Sequence, residues 1–308
     1  MTKRIGVLVG MENDFPEAFC ERVSRVPGFQ GELVRLGGVR ERPLFGYDVI
    51  IDRISHEVPF YRLALKAAAL AGTYVINDPL WWSADDKFFG FSLAAKLGVA
   101  TPRTVLLPSR SYIPDIDLHR SLRNLQYPLD WQGIVEYVGL PAILKPAEGG
   151  GWKNVYRIDS MDELIARYDE TGQLVMTLQQ FIHFEDYVRC LCIGREHINV
   201  VRYDPANRCY RPERGWLDPA LERTIIDHAM LLNNALGYDM NSVEFAIENG
   251  VPYAIDFTNP APDMYRQSIL PENFEWCIDR MVDLVVKVAN EGRTLTGNYN
   301  FSRYLPTK

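Results

Sequence analysis

The first 80 residues alternate between short apolar runs and segments with helical spacing, and this alternation restricts the fold more than any other feature. The apolar runs are predicted to be strands at residues 5–9, 32–36, 47–51 and 74–76. Between them, apolar side chains recur at the spacing of one helix face over residues 15–23 and 58–71. Strands separated by helices pair in parallel, with the helices packed on the sheet. The alternation therefore predicts an N-terminal α/β domain over residues 1–82.

The rest of the chain has shorter strands and fewer helices, which is typical of two small α+β subdomains, here at 83–180 and 181–308. In the first subdomain we predict helices at 87–97, 131–138 and 161–168 and strands at 104–107, 142–144, 154–158 and 174–178. In the second we predict hairpins within 187–203 and 242–257 and helices at 219–236 and 272–290. Asn249-Gly250 supports the second hairpin, because this pair favours a tight turn. Residues 108–130 are predicted to be a long, partly helical excursion.

Charge, hydropathy and cysteine content exclude several functional classes. The chain has 33 Lys and Arg residues against 40 Asp and Glu, a net charge of −7, whereas a general nucleic-acid binder carries a basic excess. No run reaches the ~18 apolar residues that a membrane-spanning helix needs. Five cysteines, an odd number, and no signal peptide indicate free thiols in a reducing compartment. We therefore expect a soluble cytoplasmic protein that binds neither nucleic acid nor membrane.

Two carboxylates and an amide cluster on the predicted 242–257 hairpin. Glu244 and Asp256 lie on adjacent strands, and the short turn allows both side chains to share one face of the sheet. Asn259 follows directly after the second strand. An all-oxygen set of this kind suits Mg²⁺. The alternative is a solvent-facing strand and turn without a ligand.

A lysine at the end of a predicted strand is followed by three consecutive glycines. Lys145 supplies a point charge, and Gly149-Gly150-Gly151 let backbone N–H groups approach phosphate oxygens closely. The sequence is not a Walker A motif, because no Gly-Lys-Ser/Thr follows the loop. A plain flexible loop is the alternative interpretation.

The segment that joins the two subdomains contains a third candidate site. Residues 179–182 link two strands, so their backbone could present N–H and C=O groups to a base. Arg189 lies among apolar neighbours in the next strand, and a buried arginine requires an anionic partner. That partner is either a bound phosphate or carboxylate, or a structural salt bridge.

These features, with Asp86-Lys87 near the start of the 83–180 subdomain, together resemble the ATP-grasp superfamily, in the branch of carboxylate–amine ligases. The branch includes D-alanine–D-alanine ligase, glutathione synthetase and the ribosomal-S6-modifying ligases. The resemblance spans most of the chain and depends on the order and spacing of its motifs. The segments that carry it are 72–79, 85–87, 96–102, 145–151, 180–185 and 244–259.

The resemblance implies an ATP-grasp fold, in which a parallel α/β domain precedes two α+β subdomains that enclose the nucleotide. The residues that would hold ATP are Lys87, Lys145, Gly149, Gly150, Gly151, Gln180, Phe181, Ile182 and Glu185. The lysines would neutralise phosphates, the glycines would form a flap, the 180–182 hinge would meet the adenine, and Glu185 would meet the ribose. Glu244, Asp256 and Asn259 would hold Mg²⁺, with Mn²⁺ as an alternative ion.

The implied activity is ATP-dependent joining of a small carboxylate substrate to an amine through an acyl phosphate. Arg189 and Arg202 would hold the acyl phosphate and the tetrahedral oxyanion. A small-molecule kinase on the same fold and a nucleotide-binding protein with little catalysis remain as alternatives. A homodimer is the default expectation for a soluble enzyme of this size.

The sequence departs from the family pattern at the metal site. The family places its asparagine two residues after the second acid, whereas Asn259 follows Asp256 by three. Either Thr258 occupies the usual position, or the strand bulges by one residue, and the Pro-rich 259–262 tail favours the bulge. The second acid is also Asp rather than the more common Glu, which shortens its reach.

The remaining candidates are weaker. The five histidines are scattered and are predicted to be structural or surface residues, with His56 as the one placed to line a substrate pocket. Cys190 and Cys192 share one strand face but lack a second ligand pair, so we do not expect zinc. Trp81-Trp82 is predicted to pack within a linker.

Overall fold

The computed structural model describes residues 2–41, 45–80, 86–295 and 303–305. These residues form three sheets. The first is a parallel sheet, as the sequence predicts, and its strand order is β2-β1-β3-β4. Its strands are β1 (Lys3–Leu8), β2 (Phe29–Leu33), β3 (Val49–Asp52) and β4 (Tyr74–Ile76), with helices α1 (Asp14–Ser24) and α2 (Pro59–Leu70) between them. β3, β4 and the second half of β1 are buried on both faces, which is typical of a parallel sheet covered by helices, whereas the edge strand β2 is partly exposed.

The second strand lies three residues earlier than predicted. The expected strand covered 32–36, whereas β2 ends at Leu33. Val34 and Leu36 are apolar because they cover the core under α2 from a loop, not because they continue the strand. The chain therefore stays in the core for a few residues after its strand pairing has ended.

The second sheet is antiparallel, in the order β5-β8-β6-β7. Its strands are β5 (Thr104–Leu107), β6 (Ala142–Pro146), β7 (Tyr156–Ile158) and β8 (Met176–Gln180). The helices of this part are α3 (Lys87–Lys96), α4 (Leu118–Ser121), α5 (Trp131–Val138) and α6 (Met161–Asp169). The excursion at 108–130 contains only the single helical turn of α4.

The third sheet is also antiparallel, in the order β11-β10-β9-β12-β13. Its strands are β9 (Asp186–Ile193), β10 (His197–Asp204), β11 (Cys209–Tyr210), β12 (Met240–Glu248) and β13 (Val251–Asp256). The helices are α7 (Pro219–Leu236), α8 (Arg266–Ile269) and α9 (Pro271–Glu291). Asn249 and Gly250 form the β12–β13 turn with φ of 51° and 75°, the left-handed conformation that a tight hairpin requires.

Helices cover both faces of the third sheet. Helices α3 and α7 pack on the face that carries Val188, Cys190 and Phe245. Helix α9 packs on the opposite face, in one continuous core with the first sheet. Within the described residues, no helix combines the length and hydropathy needed to cross a membrane.

Two buried polar anchors join the first sheet to the loop that follows β13. Asn77 donates from Nδ2 to the carbonyls of Met240 (2.8 Å) and Pro260 (3.1 Å), and its Oδ1 accepts from two backbone amides. Arg53 forms a two-pronged ion pair with Glu12 at 2.5 and 2.6 Å and donates to the Pro262 carbonyl at 2.7 Å. These bonds fix the 259–262 loop beside the ends of β12 and β13.

Candidate functional site

The acidic residues of the predicted hairpin lie opposite each other. Glu244 on β12 pairs with Asp256 on β13 and with Arg189 on β9, so all three side chains project from one face of the third sheet. We call this face the site face. Glu244 and Arg189 form an ion pair of 2.9 Å between Oε1 and Nη2. The structural salt bridge that the sequence allowed for Arg189 is therefore present.

Aromatic residues enclose the Arg189–Glu244 pair. The Arg189 guanidinium lies 3.8 Å from the ring centroid of Tyr203, and the Tyr187 hydroxyl donates to Glu244 Oε2. Burial raises the pKa of Glu244, with Asp256 adding to the effect and Arg189 opposing it. Burial and the nearby Glu244 also raise the pKa of Tyr187 well above its usual range, so this hydroxyl keeps its proton. The Arg189–Glu244 ion pair is therefore buried and fixed at one side of the site.

Two lysines from other elements lie near Asp256. Lys87, the first residue of α3, places Nζ 3.3 Å from Asp256 Oδ2. Lys145, on β6, donates to the Ile255 carbonyl at 3.2 Å. Burial disfavours charge on Asp256, but Lys87 and Lys145 outweigh it and hold the pKa of this carboxyl below its usual range. Burial lowers the pKa of Lys145 to about 8, against the opposing attraction of Asp256.

A β-bulge positions the acceptor for Lys145. The β12–β13 pairing shifts between Glu244 and Phe245, which leaves Ile255 as the extra residue of β13. A bulged residue is left unpaired in the ladder. The free Ile255 carbonyl accepts from Lys145 instead. The bulge therefore exists, but it lies before Asp256 and not between Asp256 and Asn259.

Helix α3 brings Lys87 to the cleft between the second and third sheets. The first turn of the helix is capped, and the helix packs closely against the residues that follow β13. Asp86 accepts from the Phe89 amide at 2.8 Å and so caps the helix. Gly90 faces Phe257, and an added Cβ there would lie 3.2 Å from the Phe257 ring. Lys145 also lies 5.2 Å from the Phe91 ring centroid, a cation–π contact. Side chains from α3, β6 and β13 thus converge between the second and third sheets.

The donor set fits a hard divalent cation. Oδ1 of Asp256 is buried and has no hydrogen-bond partner among the described residues, although 27% of the side chain is exposed. The described residues contain no cluster of three or more His, Cys, Asp and Glu side chains. Two carboxylates with neutral oxygen donors and water are the coordination that suits Mg²⁺.

Two hydrogen bonds hold Asn259, the predicted third ligand, against β12. Its side-chain Nδ2 donates to the Ser242 carbonyl at 3.1 Å, and its backbone N–H donates to Asn241 Oδ1 at 2.9 Å. The neighbouring Thr258 is buried, and its hydroxyl has no hydrogen-bond partner among the described residues.

The predicted adenine hinge connects the second and third sheets. Gln180 N–H donates to the Arg103 carbonyl at 2.8 Å, and Phe181 N–H donates to the Pro141 carbonyl at 3.3 Å. Ile182 is buried in the core shared with the first sheet. The Glu185 carboxylate accepts from the backbone N–H of Asn249 at 3.1 Å, so in this structure it caps the β12–β13 turn.

The predicted flap is open to solvent. Gly149, Gly150 and Gly151 are exposed, and an added Cβ at any of them would contact nothing within 4 Å. Gly149 and Gly151 have φ of 81° and 71°, a conformation that glycine adopts without strain. The following Trp152 contacts Arg208 of the third sheet, 5.4 Å from its ring centroid. The loop therefore reaches across the cleft from β6 to the β10–β11 turn.

Arg202 lies away from the other predicted site residues. It pairs with Val188, so its side chain projects from the face opposite the site face. There it bonds Asp186 at 3.1 Å and stacks on Trp216.

The first sheet contributes a small polar pocket next to the 259–262 loop. Its lining includes Asp52, Ser55, His56, Asp78 and Ala261. His56 therefore lines a pocket, and its contact with a substrate stays a prediction. Burial lowers the pKa of His56. Trp81 and Trp82 lie outside the described residues.

Several site residues have no motif in the sequence. Tyr187 and Tyr203 resemble ordinary strand aromatics until the register places them around Arg189. Thr258 and Asn241 are likewise visible only as buried polar side chains. Alternation along β9 and β12 could have predicted that Tyr187 shares the face of Arg189, because residues two apart point the same way.

No protein-family model matches the chain. It is 24% identical over 253 residues to a D-alanine–D-alanine ligase of Polynucleobacter asymbioticus, an alignment that covers 74% of this chain and 64% of that ligase, just under two thirds of the relative's length. Among solved structures, a RimK domain ATP-grasp protein from Sphaerobacter thermophilus superposes with a TM-score of 0.68 at 16% identity, covering 92% of this chain and 99% of that one. A D-alanine–D-alanine ligase from Bacillus anthracis complexed with ATP gives 0.64 at 15% identity, with coverage of 94% and 98%.

These similarities confirm two predictions from the sequence. The chain has the ATP-grasp fold, with a parallel α/β sheet before the two antiparallel sheets. It also resembles the ATP-dependent carboxylate–amine ligases, as the order of its motifs predicts.

Proposed function

We propose that this chain is an ATP- and Mg²⁺-dependent ligase that joins a small carboxylate substrate to an amine through an acyl phosphate. The observation that carries the proposal is that two lysines meet at the end of β13, beside Glu244: Lys87 pairs with Asp256, and Lys145 bonds the adjacent Ile255 carbonyl. The two lysines would neutralise phosphate oxygens, and the two carboxylates would hold a divalent ion at the same point of the cleft. The similarity to D-alanine–D-alanine ligases supports this choice over other uses of the fold.

In the proposed reaction, ATP lies between the second and third sheets. Lys145 and Lys87 contact its phosphates, and the 180–182 segment contacts its base. Mg²⁺, held by Glu244 and Asp256, would withdraw charge from the phosphate oxygens during transfer. A carboxylate oxygen of the substrate attacks the γ-phosphorus, the bond to the β-phosphate oxygen breaks, and ADP leaves.

The second half of the reaction forms the amide. The amine attacks the carbonyl carbon of the acyl phosphate, loses a proton, and inorganic phosphate departs with the bridging oxygen. The chain provides positioning and charge, which account for most of the rate enhancement in phosphoryl transfer. The 149–151 flap excludes water, which would otherwise hydrolyse the acyl phosphate.

Arg189 has a positioning part in this proposal. Its side chain is 16% exposed, and Glu244 and Tyr203 hold its guanidinium, so it would fix the orientation of the Glu244 carboxylate for the metal. Arg202 has no part in it, because its side chain lies on the other face of the sheet. We place the acceptor substrate near the Asp52–His56 pocket, since that pocket adjoins the loop after β13.

The test is a panel of small carboxylic acids and amino acids, each with and without an amine, scored for ADP and phosphate release with Mg²⁺ and ATP. We expect both products only when an acid and an amine are present. Lys145→Gln and Asp256→Asn should abolish release, whereas Lys287→Gln, at an exposed ion pair on α9, should not. A stable phosphorylated product would indicate a kinase, and tight ATP binding without any turnover would indicate a binding protein; either result overturns the proposal.

A further inference from the structure

We propose that Tyr187 is a positioning residue of the cleft, whose hydroxyl works with Arg189 to orient the Glu244 carboxylate for a divalent ion. The inference rests on the proposed function, since it requires that an ion binds at Glu244. It goes beyond that function because it adds a neutral donor that no sequence motif marks.

The strand register brings Tyr187 next to Glu244. Arg189 on β9 lies directly opposite Glu244 on β12. Tyr187, two residues earlier on β9, lies opposite Ala246. Residues two apart in a strand share a face, so Tyr187 is a diagonal neighbour of Glu244. An aromatic side chain can span that diagonal, and the small Ala246 side chain leaves room for the ring.

Both carboxylate oxygens of Glu244 are held from β9. Oε1 pairs with Arg189 Nη2 at 2.9 Å, and Oε2 accepts from the Tyr187 hydroxyl. A glutamate carboxylate otherwise rotates broadly about its last torsion, and a single partner on one oxygen leaves part of that freedom. A carboxylate has about four lone-pair sites, so these two donors leave sites for a metal ion. The remaining lone pairs of Glu244 therefore keep a fixed direction.

Packing fixes the Tyr187 ring in turn. The residue is 5% exposed, and its ring lies 5.4 Å from the Phe184 ring and 5.9 Å from the Tyr203 ring, measured between centroids. The hydroxyl is therefore held in place before any ligand arrives.

The other acid of the site lies on the far side of Glu244. Asp256 on β13 pairs with Glu244, and its Oδ1 is buried with no hydrogen-bond partner among the described residues. An ion between the two acids would thus meet an oxygen of Asp256 that still lacks a partner and a Glu244 carboxylate already fixed from β9. Hydrogen-bonded support of this kind orients metal-binding carboxylates in proteins.

The test measures Mn²⁺ binding to the full chain with ADP by electron paramagnetic resonance, which needs no turnover. Tyr187→Phe keeps the ring and removes the donor. We expect it to weaken Mn²⁺ binding by about tenfold or more, as loss of an outer-shell partner typically does. ADP binding measured in EDTA should stay unchanged, because the hydroxyl acts on the metal through Glu244.

Tyr168→Phe is the matched control. Tyr168 is buried in the core of the second sheet, and its hydroxyl donates to the Pro108 carbonyl at 2.8 Å. Each variant loses one hydroxyl bond, so both should lower the unfolding temperature measured without metal. Only Tyr187→Phe should also lose Mn²⁺ affinity.

The outcomes separate this assignment from the proposed function. Unchanged Mn²⁺ affinity in a folded Tyr187→Phe variant, or an equal loss of affinity in Tyr168→Phe, overturns the assignment alone. If Tyr187→Phe does not fold, Tyr187→Met decides by the same criterion, because its flexible side chain fills the site without a donor. No Mn²⁺ binding by the wild type overturns both the assignment and the proposed function.

Discussion

Nucleotide binding to this chain should depend on pH through Lys145. Burial lowers the pKa of this ammonium to about 8 in the free protein, against an ordinary value of 10.5. A bound phosphate raises that pKa again, because an opposite charge favours the protonated form. Binding therefore takes up a proton from solution wherever free Lys145 is neutral, and affinity falls as pH rises through 8.

The size of the effect follows from that pKa. With a free-protein pKa of about 8 for Lys145, and with its proton retained throughout this range in the bound state, the affinity for MgADP should fall about eightfold between pH 7.5 and pH 9. Over the same range the proton uptake per bound nucleotide should rise from about 0.2 to about 0.9. The nucleotide phosphates are already ionised above pH 7.5, so they contribute little to the change.

Isothermal titration calorimetry in buffers of different ionisation enthalpy measures both quantities. Lys145→Arg carries a permanent charge and Lys145→Gln carries none, so neither should show the pH dependence. Lys87→Arg is the matched control and should keep it. If wild-type affinity is independent of pH and Lys145→Gln binds as tightly as wild type, Lys145 does not contact the phosphates.

Three further substitutions test the packing that positions the site, each by urea unfolding. Gly90→Ala places a Cβ 3.2 Å from the Phe257 ring, and the overpacking should cost about 1–2 kcal/mol despite alanine's better helix propensity; a more stable variant would show that this approach is not tight. Asn77→Leu removes four hydrogen bonds, three of them buried, and should cost about 3 kcal/mol or more, so a loss below about 1 kcal/mol would contradict the anchoring role. Glu12→Gln leaves the buried Arg53 charge without its ion pair and should cost about 3–5 kcal/mol, whereas no change would show that the pair is dispensable.

The helices with clear ends were predictable from the sequence. The segment 219–236 begins after Asp218, which caps two amides, and ends at Gly237, which has a φ of 82°. Helix 131–138 begins in the same way, with the Asp130 side chain accepting from Gly133. Local hydrogen bonds and backbone conformation decide these boundaries, so the residues at each end specify them.

The acidic pair was predictable for a related reason. Asn249-Gly250 fixes the turn, and the turn fixes which residues of β12 and β13 face each other. The bulge at Ile255 was not predictable in position, because no residue there demands it.

The spacing of Arg189 and Arg202 in the sequence does not show whether their side chains share a face of the third sheet. They lie on different strands, and the β9–β10 register depends on the conformation of the loop after Ile193. A shift of one residue would have moved Arg202 to the site face. Glu185 shows the same limit, because its contact with the β12–β13 turn joins residues far apart in the chain.

The fate of the substrate's carboxylate oxygen tests the proposed reaction most directly. An acid that supports ADP release is labelled with ¹⁸O in its carboxylate and incubated with Mg²⁺, ATP and the amine. We predict that an ¹⁸O atom appears in inorganic phosphate in each turnover, because the attacking oxygen becomes the bridge of the acyl phosphate and leaves with phosphate. Unlabelled phosphate, or label that stays in a stable phosphorylated product, would contradict an acyl-phosphate ligase.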